Sequence, residues 1–413
     1  MDPLTQASLG AAAAAAFSGG RHVRLALLVG AVAGAAPDLD VLIQSDDDPM
    51  LGLEYHRHFT HALVFAPLIG LVVAGLFRLL LFRRRPDFFL LARFAVAAAL
   101  THGLLDTCTS YGTLLYWPFS SHRESWDIIS IIDPLFTGPL VALLAFAALR
   151  RRPGYARLAL CICVFYLGLG VVQRERAERF ARELAESRGH EAAALTARPS
   201  LANLLLWRVV YREGSQYHVD AVWLGLPGSK RLYPGGGVAA FTPGDARAQL
   251  PEGSTQWEDV ERFRFFSQGY LYLHPEQSDV IGDLRYAIFP DSLIPLWGIR
   301  VDAARPGSHV SMEYFRSVET SALDRLWRMV RGLESPFPPH SDSSRDSDSG
   351  DFRKVRSQET GHLAWAYFNG ARRPSSQFSE VPFNQKWWAR LSRCMFRPGF
   401  SSERPAFEVC WKR

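Results

Sequence analysis

Four nearly uninterrupted apolar runs fall within the first 175 residues, at 61–82, 88–105, 131–149 and 155–172. Each is about 17 to 22 residues long, and a helix needs roughly 20 residues to cross a hydrocarbon core about 30 Å thick. Such a segment has no water to satisfy its backbone, so it must close its own hydrogen bonds as a helix. A fifth segment, 24–43 ("RLALLVGAVAGAAPDLDVLI"), stays apolar for only about a dozen residues before Pro37 and Asp38 and is expected as a short or partly inserted helix. Residues 5–17 are Ala-rich and are expected to pack against it, because small side chains let helices approach closely. The predicted fold class is an α-helical membrane bundle of about five spans or partial spans, followed by a small, mostly antiparallel β domain and a partly disordered tail.

The averages conceal this division. A hydrophobic fraction of 48% and a charged fraction of 21% would suit a soluble enzyme, but the apolar residues crowd into the first part and the polar ones into the rest. The net charge of +5 comes from arginines placed at the breaks between apolar runs, a membrane pattern rather than a nucleic-acid one, and no nucleic-acid partner is expected. The five cysteines are too scattered for a disulfide framework and include no CxxC pair. The N-terminal stretch has Asp2 as its first charge and lacks the basic region of a signal peptide, so it reads as retained.

Arg21, Arg24, "RRRPD" (83–87) and "RRRP" (150–153) set the cytoplasmic side. The connections 38–60 and 106–130, and everything after about 173, then face outward. The predicted domains are a membrane-embedded helical region at 1–175, a linker helix at 176–194, an extracytoplasmic β-rich domain at 195–335 and a Ser/Asp-rich linker with an unassigned tail at 336–413. Within the β domain, "LLLWRVVYRE", "YHVDAVWL", "FRFFSQGYLYL" and "DLRYAIF" alternate with a period of two and are bounded by Gly and Pro.

This topology carries polar clusters from separate segments to one membrane face. Asp38 and Asp40 ("PDLD") end the first segment, and His56, His58 and His61 precede or open the second. His102 and Asp106 close the third, and Asp133 opens the fourth. Ionisable groups at membrane depth are costly and want a partner charge. A divalent metal is the simplest one, and His102 and Asp106, four apart, share a helical face. Imidazole with carboxylate favours zinc or a similar ion, with donors enough for one to three. Each element also has an ordinary reading. "PDLD" suits a turn, His102 suits a bond to a carbonyl, and Asp133 suits a helix cap ahead of Pro134. His58 is off-register and reads as a surface or supporting group, and Arg57 as a partner for a carboxylate or a substrate phosphate.

The motifs "MDPLTQASLGAA", "PDLDVL", "YHRHFTHAL", "LTHGLLDTCTSYGT", "WPFS" and "IIDPLFTGPL" resemble, in order and spacing, the YdjM-like family of bacterial inner-membrane predicted metal-dependent hydrolases. The resemblance covers residues 1–175 strongly and continues more loosely through the β region. It implies Asp38, Asp40, His56, His61, His102 and Asp106 as metal ligands, with Asp133 a further candidate. Ala62 stands where family members often carry a small hydroxyl residue. The HxxxD arrangement also resembles that of zinc-dependent phospholipase C and P1-type nucleases.

The expected function is a hydrolase of the bacterial inner membrane acting on a phosphodiester or ester of a lipid-like substrate, its site facing the periplasm, with membrane lipids as partners. Asp40 is expected to guide the proton, while Arg57 and Thr60 steady the phosphate. The alternative is a non-catalytic membrane protein, either a metal transporter or sensor or a scaffold for the β domain.

Overall fold

The computed structural model describes residues 1–81, 86–225, 228–316 and 320–334. The Ser/Asp-rich linker and tail expected at 336–413 lie outside the described residues.

The chain opens with α1 (Pro3–Ala16), whose Asp2 cap accepts from the Thr5 backbone amide. It turns back into α2 (Val23–Ala35), which ends in a 3₁₀ turn at Ala36–Leu42. The two helices meet through glycine. A Cβ built on Gly10 would lie 2.5 Å from the Gly30 carbonyl oxygen and 2.7 Å from the Gly34 Cα, so any larger residue would force the backbones apart. Next come α3 (Met50–Tyr55), a 3₁₀ turn at Phe59–His61, α4 (Ala66–Leu80), α5 (Phe88–Cys108), α6 (Pro134–Arg150) and α7 (Gly154–Ser187).

Three helical segments are long and apolar enough to cross a membrane: Gly20–Leu42, Phe88–Cys108 and Gly154–Ser187. The other two of the five expected spans or partial spans are a bent helix pair and a shorter apolar helix. The run at 61–82 is not one straight span, because its helix starts at Ala66 and the preceding Met50–His61 segment is bent from it by 82°; the pair would make a fourth crossing only as a broken span. The last apolar run before α7 yields a 17-residue helix with Pro139 inside it, shorter than the bilayer core asks for. Apolar side chains stay exposed along these helices, among them Leu79, Leu149 and Val164, as a lipid-facing surface requires.

The expected linker at 176–194 is not a separate element. α7 runs unbroken for 34 residues, about 51 Å at the usual helical rise, so the 175/176 boundary falls inside it. The remainder forms two antiparallel four-stranded sheets. The first comprises β1 (Ala194–Pro199), β2 (Leu206–Glu213), β3 (Gln216–Leu224) and β4 (Lys230–Ala239) in sequential order. Helices α8 (Pro243–Gln249) and α9 (Thr255–Phe266) follow, then β5 (Leu271–His274), β6 (Gln277–Asp283), β7 (Trp297–Arg300) and β8 (Ser311–Tyr314), and finally α10 (Thr320–Val330).

Two expected strands are corrected here. "FRFFSQGYLYL" divides between the end of α9, capped at its start by Ser254, and the short β5. "DLRYAIF" leaves β6 after Asp283, where Arg285 folds back to pair with the Asp283 carboxylate at 2.7 Å. The β domain sits on the ligand-bearing end of the helices. Arg198 donates to the Ser110 carbonyl at 2.9 Å, Gln268 to the Arg123 carbonyl at 3.1 Å, and Arg262 to Asp48 at 3.0 Å.

Candidate metal centre

The 3₁₀ turn that stops α2 decides the roles of its two aspartates. With about 3 residues per turn, side chains two positions apart diverge by about 120°, so Asp38 and Asp40 reach opposite edges of one ring, that of His61. The Asp40 Oδ2 lies 3.2 Å from His61 Nδ1, and the Asp38 Oδ1 lies 3.5 Å from His61 Nε2. His61 itself reaches this point because its 3₁₀ turn is pressed onto α5 at Gly103, where a Cβ would meet the His61 carbonyl oxygen at 2.1 Å.

One turn of α5 presents His102 and Asp106 on the same face. The Nε2 atoms of His61 and His102 face each other at 2.9 Å. Asp106 Oδ2 is 3.1 Å from His61 Nε2 and 3.6 Å from His102 Nε2, and Asp38 Oδ1 is 3.4 Å from His102 Nε2. The four ligand-type atoms all lie within 4.8 Å of one another. A tetrahedral ion with ligands about 2.0–2.1 Å away would set its donors about 3.3–3.4 Å apart. These separations straddle that value, so the donor set fits one such ion. The side chains of His61, His102 and Asp106 are fully buried, while Asp38 retains 20% exposure.

The groups behind this cluster fix its tautomers. His102 Nδ1 sits 2.6 Å from the Gly34 carbonyl oxygen, which can only accept. His61 Nδ1 faces Asp40 Oδ2, which also accepts from the Arg57 amide at 2.9 Å and the Thr60 hydroxyl at 3.0 Å. Both neutral rings therefore keep their protons on Nδ1, donate from there, and turn bare Nε2 lone pairs inward, an assignment made from the partners. Asp106 Oδ1 accepts from the Met1 amino group and, at 2.8 Å, from Gln6 Nε2. Its Oδ2 has no hydrogen bond among the described residues.

The structure does not bring Asp40, His56 or Asp133 into the four-atom cluster. Asp40 stands behind His61 instead. His56 is held by its Nδ1 against Asp40 Oδ1 at 3.0 Å. Asp133 caps α6 through the Leu135 and Phe136 amides and accepts from the Tyr166 hydroxyl at 2.8 Å. Thr60 donates to Asp40 and also faces His61 Nδ1 at 3.0 Å. Arg57, 1% exposed, lies 3.1 Å from Asp106 Oδ2 through Nε and 2.8 Å from the Thr109 hydroxyl through Nη1, and it stacks over Tyr111 at 4.7 Å. Burial raises the Tyr111 phenol above its ordinary range, so the ring stays neutral and serves as a cation-π face. Tyr111 in turn meets Phe266 of α9, so the β domain covers the back of this arginine.

Replacing Asp40 by Asn should lower the affinity for zinc about 10- to 100-fold without removing a ligand, the usual effect of losing a carboxylate behind a coordinating histidine. Competition with a chromophoric chelator measures it, and an unchanged affinity would show that His61 needs no such support.

Sequence reasoning missed Met1, Gln6, Gly34 and Gly103. The first two had a signal, since the Ala-rich helix was expected against α2 and the motif before it carries a polar residue at position 6. The glycine contacts had none, because a backbone approach leaves no side-chain pattern. No curated protein and no solved structure matches the chain. Residues 1–177, the helical region that builds this cluster, match the model of the YdjM inner membrane protein family, so this region is similar to that family.

Proposed function

We propose that this protein is a membrane-bound, metal-dependent hydrolase of a phosphodiester or other ester in a lipid-like substrate, with the site and the β domain on the periplasmic side of the inner membrane. The observation that carries the reading is the pair of imidazole Nε2 atoms 2.9 Å apart, both with their Nδ1 protons committed elsewhere. Two lone pairs at that separation need a proton or a metal ion between them, and the Asp38 and Asp106 oxygens within 3.6 Å complete a donor set for the ion. Nitrogen and carboxylate donors in this ratio suit zinc or a similar borderline ion.

When bound, such an ion supplies Lewis acidity toward an ester or phosphoryl oxygen and makes water nucleophilic near neutral pH. His61, His102 and Asp106 hold it from the buried side, a two-histidine, one-carboxylate set of the catalytic kind. Asp38, the exposed member, faces the approach and takes the proton of the attacking water. This role passes to it from Asp40, whose oxygens are already engaged. Arg57 restrains Asp106, and Asp40 sets the ring of His61.

The test is elemental analysis of detergent-purified protein followed by hydrolysis of short-chain phospholipids and phosphodiesters. Wild type is expected to carry metal and turn over at least one of them. Asp38→Asn is expected to retain metal and lose about 100-fold or more in kcat, the range of a general base. Metal without turnover on any ester would favour a non-catalytic transporter or sensor, and absence of metal would end the hydrolase reading and leave the scaffold.

A further inference from the structure

A cavity of about 440 Å³ opens between α3 and α9, beside the centre and separate from it. Its walls include Met50, Leu53, Leu114, Trp117, Phe265 and Phe266. Two polar groups on it lack what burial normally supplies. Arg123 is 4% exposed and donates through Nη2 to the His56 and Gly112 carbonyls at 3.0 and 3.2 Å. Its Nε has no hydrogen bond, and no carboxylate pairs with it among the described residues. Burial pushes its pKa down to about 10 and the charges of Arg57 and Arg285 add to that, yet it stays a cation at neutral pH. His58, set against Trp117 with ring centroids 5.3 Å apart, leaves its Nδ1 without a partner.

The other charged groups on the cavity are engaged in ion pairs. Arg262 binds Glu54 at 2.8 Å, Asp48 at 3.0 Å and Asp259 at 3.1 Å, and Arg264 binds Glu261 at 3.3 Å. Arg123 remains as a buried guanidinium faced by the Tyr111 and Phe266 rings at 5.9 and 5.4 Å but by no carboxylate among the described residues, and a buried charge without a counter-charge is costly. The partition between cavity and metal centre is the segment His56–His58. Arg57 has a left-handed φ of 61° and turns its side chain to Asp106, while His58 lines the cavity.

We propose that this cavity is the headgroup subsite for an anionic phospholipid, with the phosphate between Arg123 and His58 and the first part of the apolar chain along Leu53, Leu114 and Phe265. The proposal rests on the lipid-ester reading and gives it a substrate class. The volume suits a glycerophosphate group and a few methylenes, within the roughly 300–1,000 Å³ of ordinary ligand pockets. The foot of the bent span supplies one wall and the β domain the other, so the acyl chains continue into lipid.

Binding of dihexanoyl phosphatidylglycerol, dihexanoylglycerol and glycerol 3-phosphate to the full-length protein in neutral detergent would test it, by calorimetry or native mass spectrometry. The phospholipid is expected to bind at least about tenfold more tightly than either partial analogue, since a charge-assisted contact contributes that much. Arg123→Gln and Leu53→Trp should each weaken it about tenfold or more, the first by removing charge and the second by filling space. If Arg123→Gln does not fold, Leu53→Trp decides. Equal binding of phospholipid and glycerol 3-phosphate, equal binding of phospholipid and dihexanoylglycerol, or wild-type affinity in either folded variant would overturn the subsite. The same measurements on protein with both His61 and His102 replaced by Ala keep the two readings apart. Binding that persists there while hydrolysis is absent from the wild type sinks the enzyme and spares the subsite.

Discussion

Protein carrying His61→Ala and His102→Ala together should leave purification with less than about a tenth of an ion per chain where wild type carries about one, because half of a converging donor set supplies far less than half of the binding free energy. Hydrolysis should fall to background with it. The imidazoles are not holding the helices apart, since outside the cluster His102 is anchored through Nδ1 to the Gly34 carbonyl and His61 through Nδ1 to Thr60 and Asp40. The double variant should therefore still fold. A second readout follows from linkage. A ligand at about 100 times its Kd stabilises the folded state by about 2.7 kcal/mol, so a chelator should lower the wild-type Tm by several degrees and leave that of the double variant unmoved. Undiminished metal in the double variant would mean the ion, if any, sits elsewhere; the one other such group among the described residues is Asp48, Asp259 and His309, where Arg262 already supplies a positive charge.

Gly103→Ala should be nearly as damaging although the residue offers no donor atom. The new methyl carbon would lie 2.1 Å from the His61 carbonyl oxygen and 3.2 Å from the carbonyl carbon. Neither is a flexible tip that can swing aside. The Phe59–His61 turn must lift by roughly an ångström, at about 1–3 kcal/mol of overpacking, and a misplacement of that size costs about 100-fold in rate. Gly75→Ala in α4 is the control, as its Cβ would meet nothing within 4 Å. It should be neutral or slightly stabilising. Metal affinity and turnover measured on both variants decide the matter, and a Gly103→Ala protein as active as the control would refute the close approach.

The parts of the site that could be read from the sequence are those fixed by a helical period. His102 and Asp106 share a face because they are four apart, and their meeting with Asp38 and His61 follows once the apolar runs are drawn as antiparallel segments. The five-residue spacing of His56 and His61 gave no such guide. The chain reverses at Arg57 with a positive φ, which no residue type there announces, so His56 turns its Nδ1 to Asp40 and meets His61 only edge-on, outside the four-atom cluster. The two aspartates of "PDLD" were likewise indistinguishable until the tight 3₁₀ winding set them on different edges of one ring. Among the spans, composition marked the apolar residues but not the bend at 62–65. In the β domain, alternation located β2 and β3 well and failed at "FRFFSQGYLYL", where the aromatic spacing fits either period and the Ser254 cap decides for helix.

The unbroken α7 has a mechanical consequence. A rod rooted among lipid-facing helices continues without a hinge into the layer that packs beneath β1–β3, and Gln173 ties it to the Leu204 and Leu224 carbonyls at 2.9 and 3.0 Å, while Arg174 reaches the Trp126 carbonyl at 3.0 Å. A roof braced in this way resists tipping. Under the proposed lipid-ester function, a substrate already dissolved in the bilayer would have a shorter, two-dimensional search for Asp38 than one arriving from bulk water.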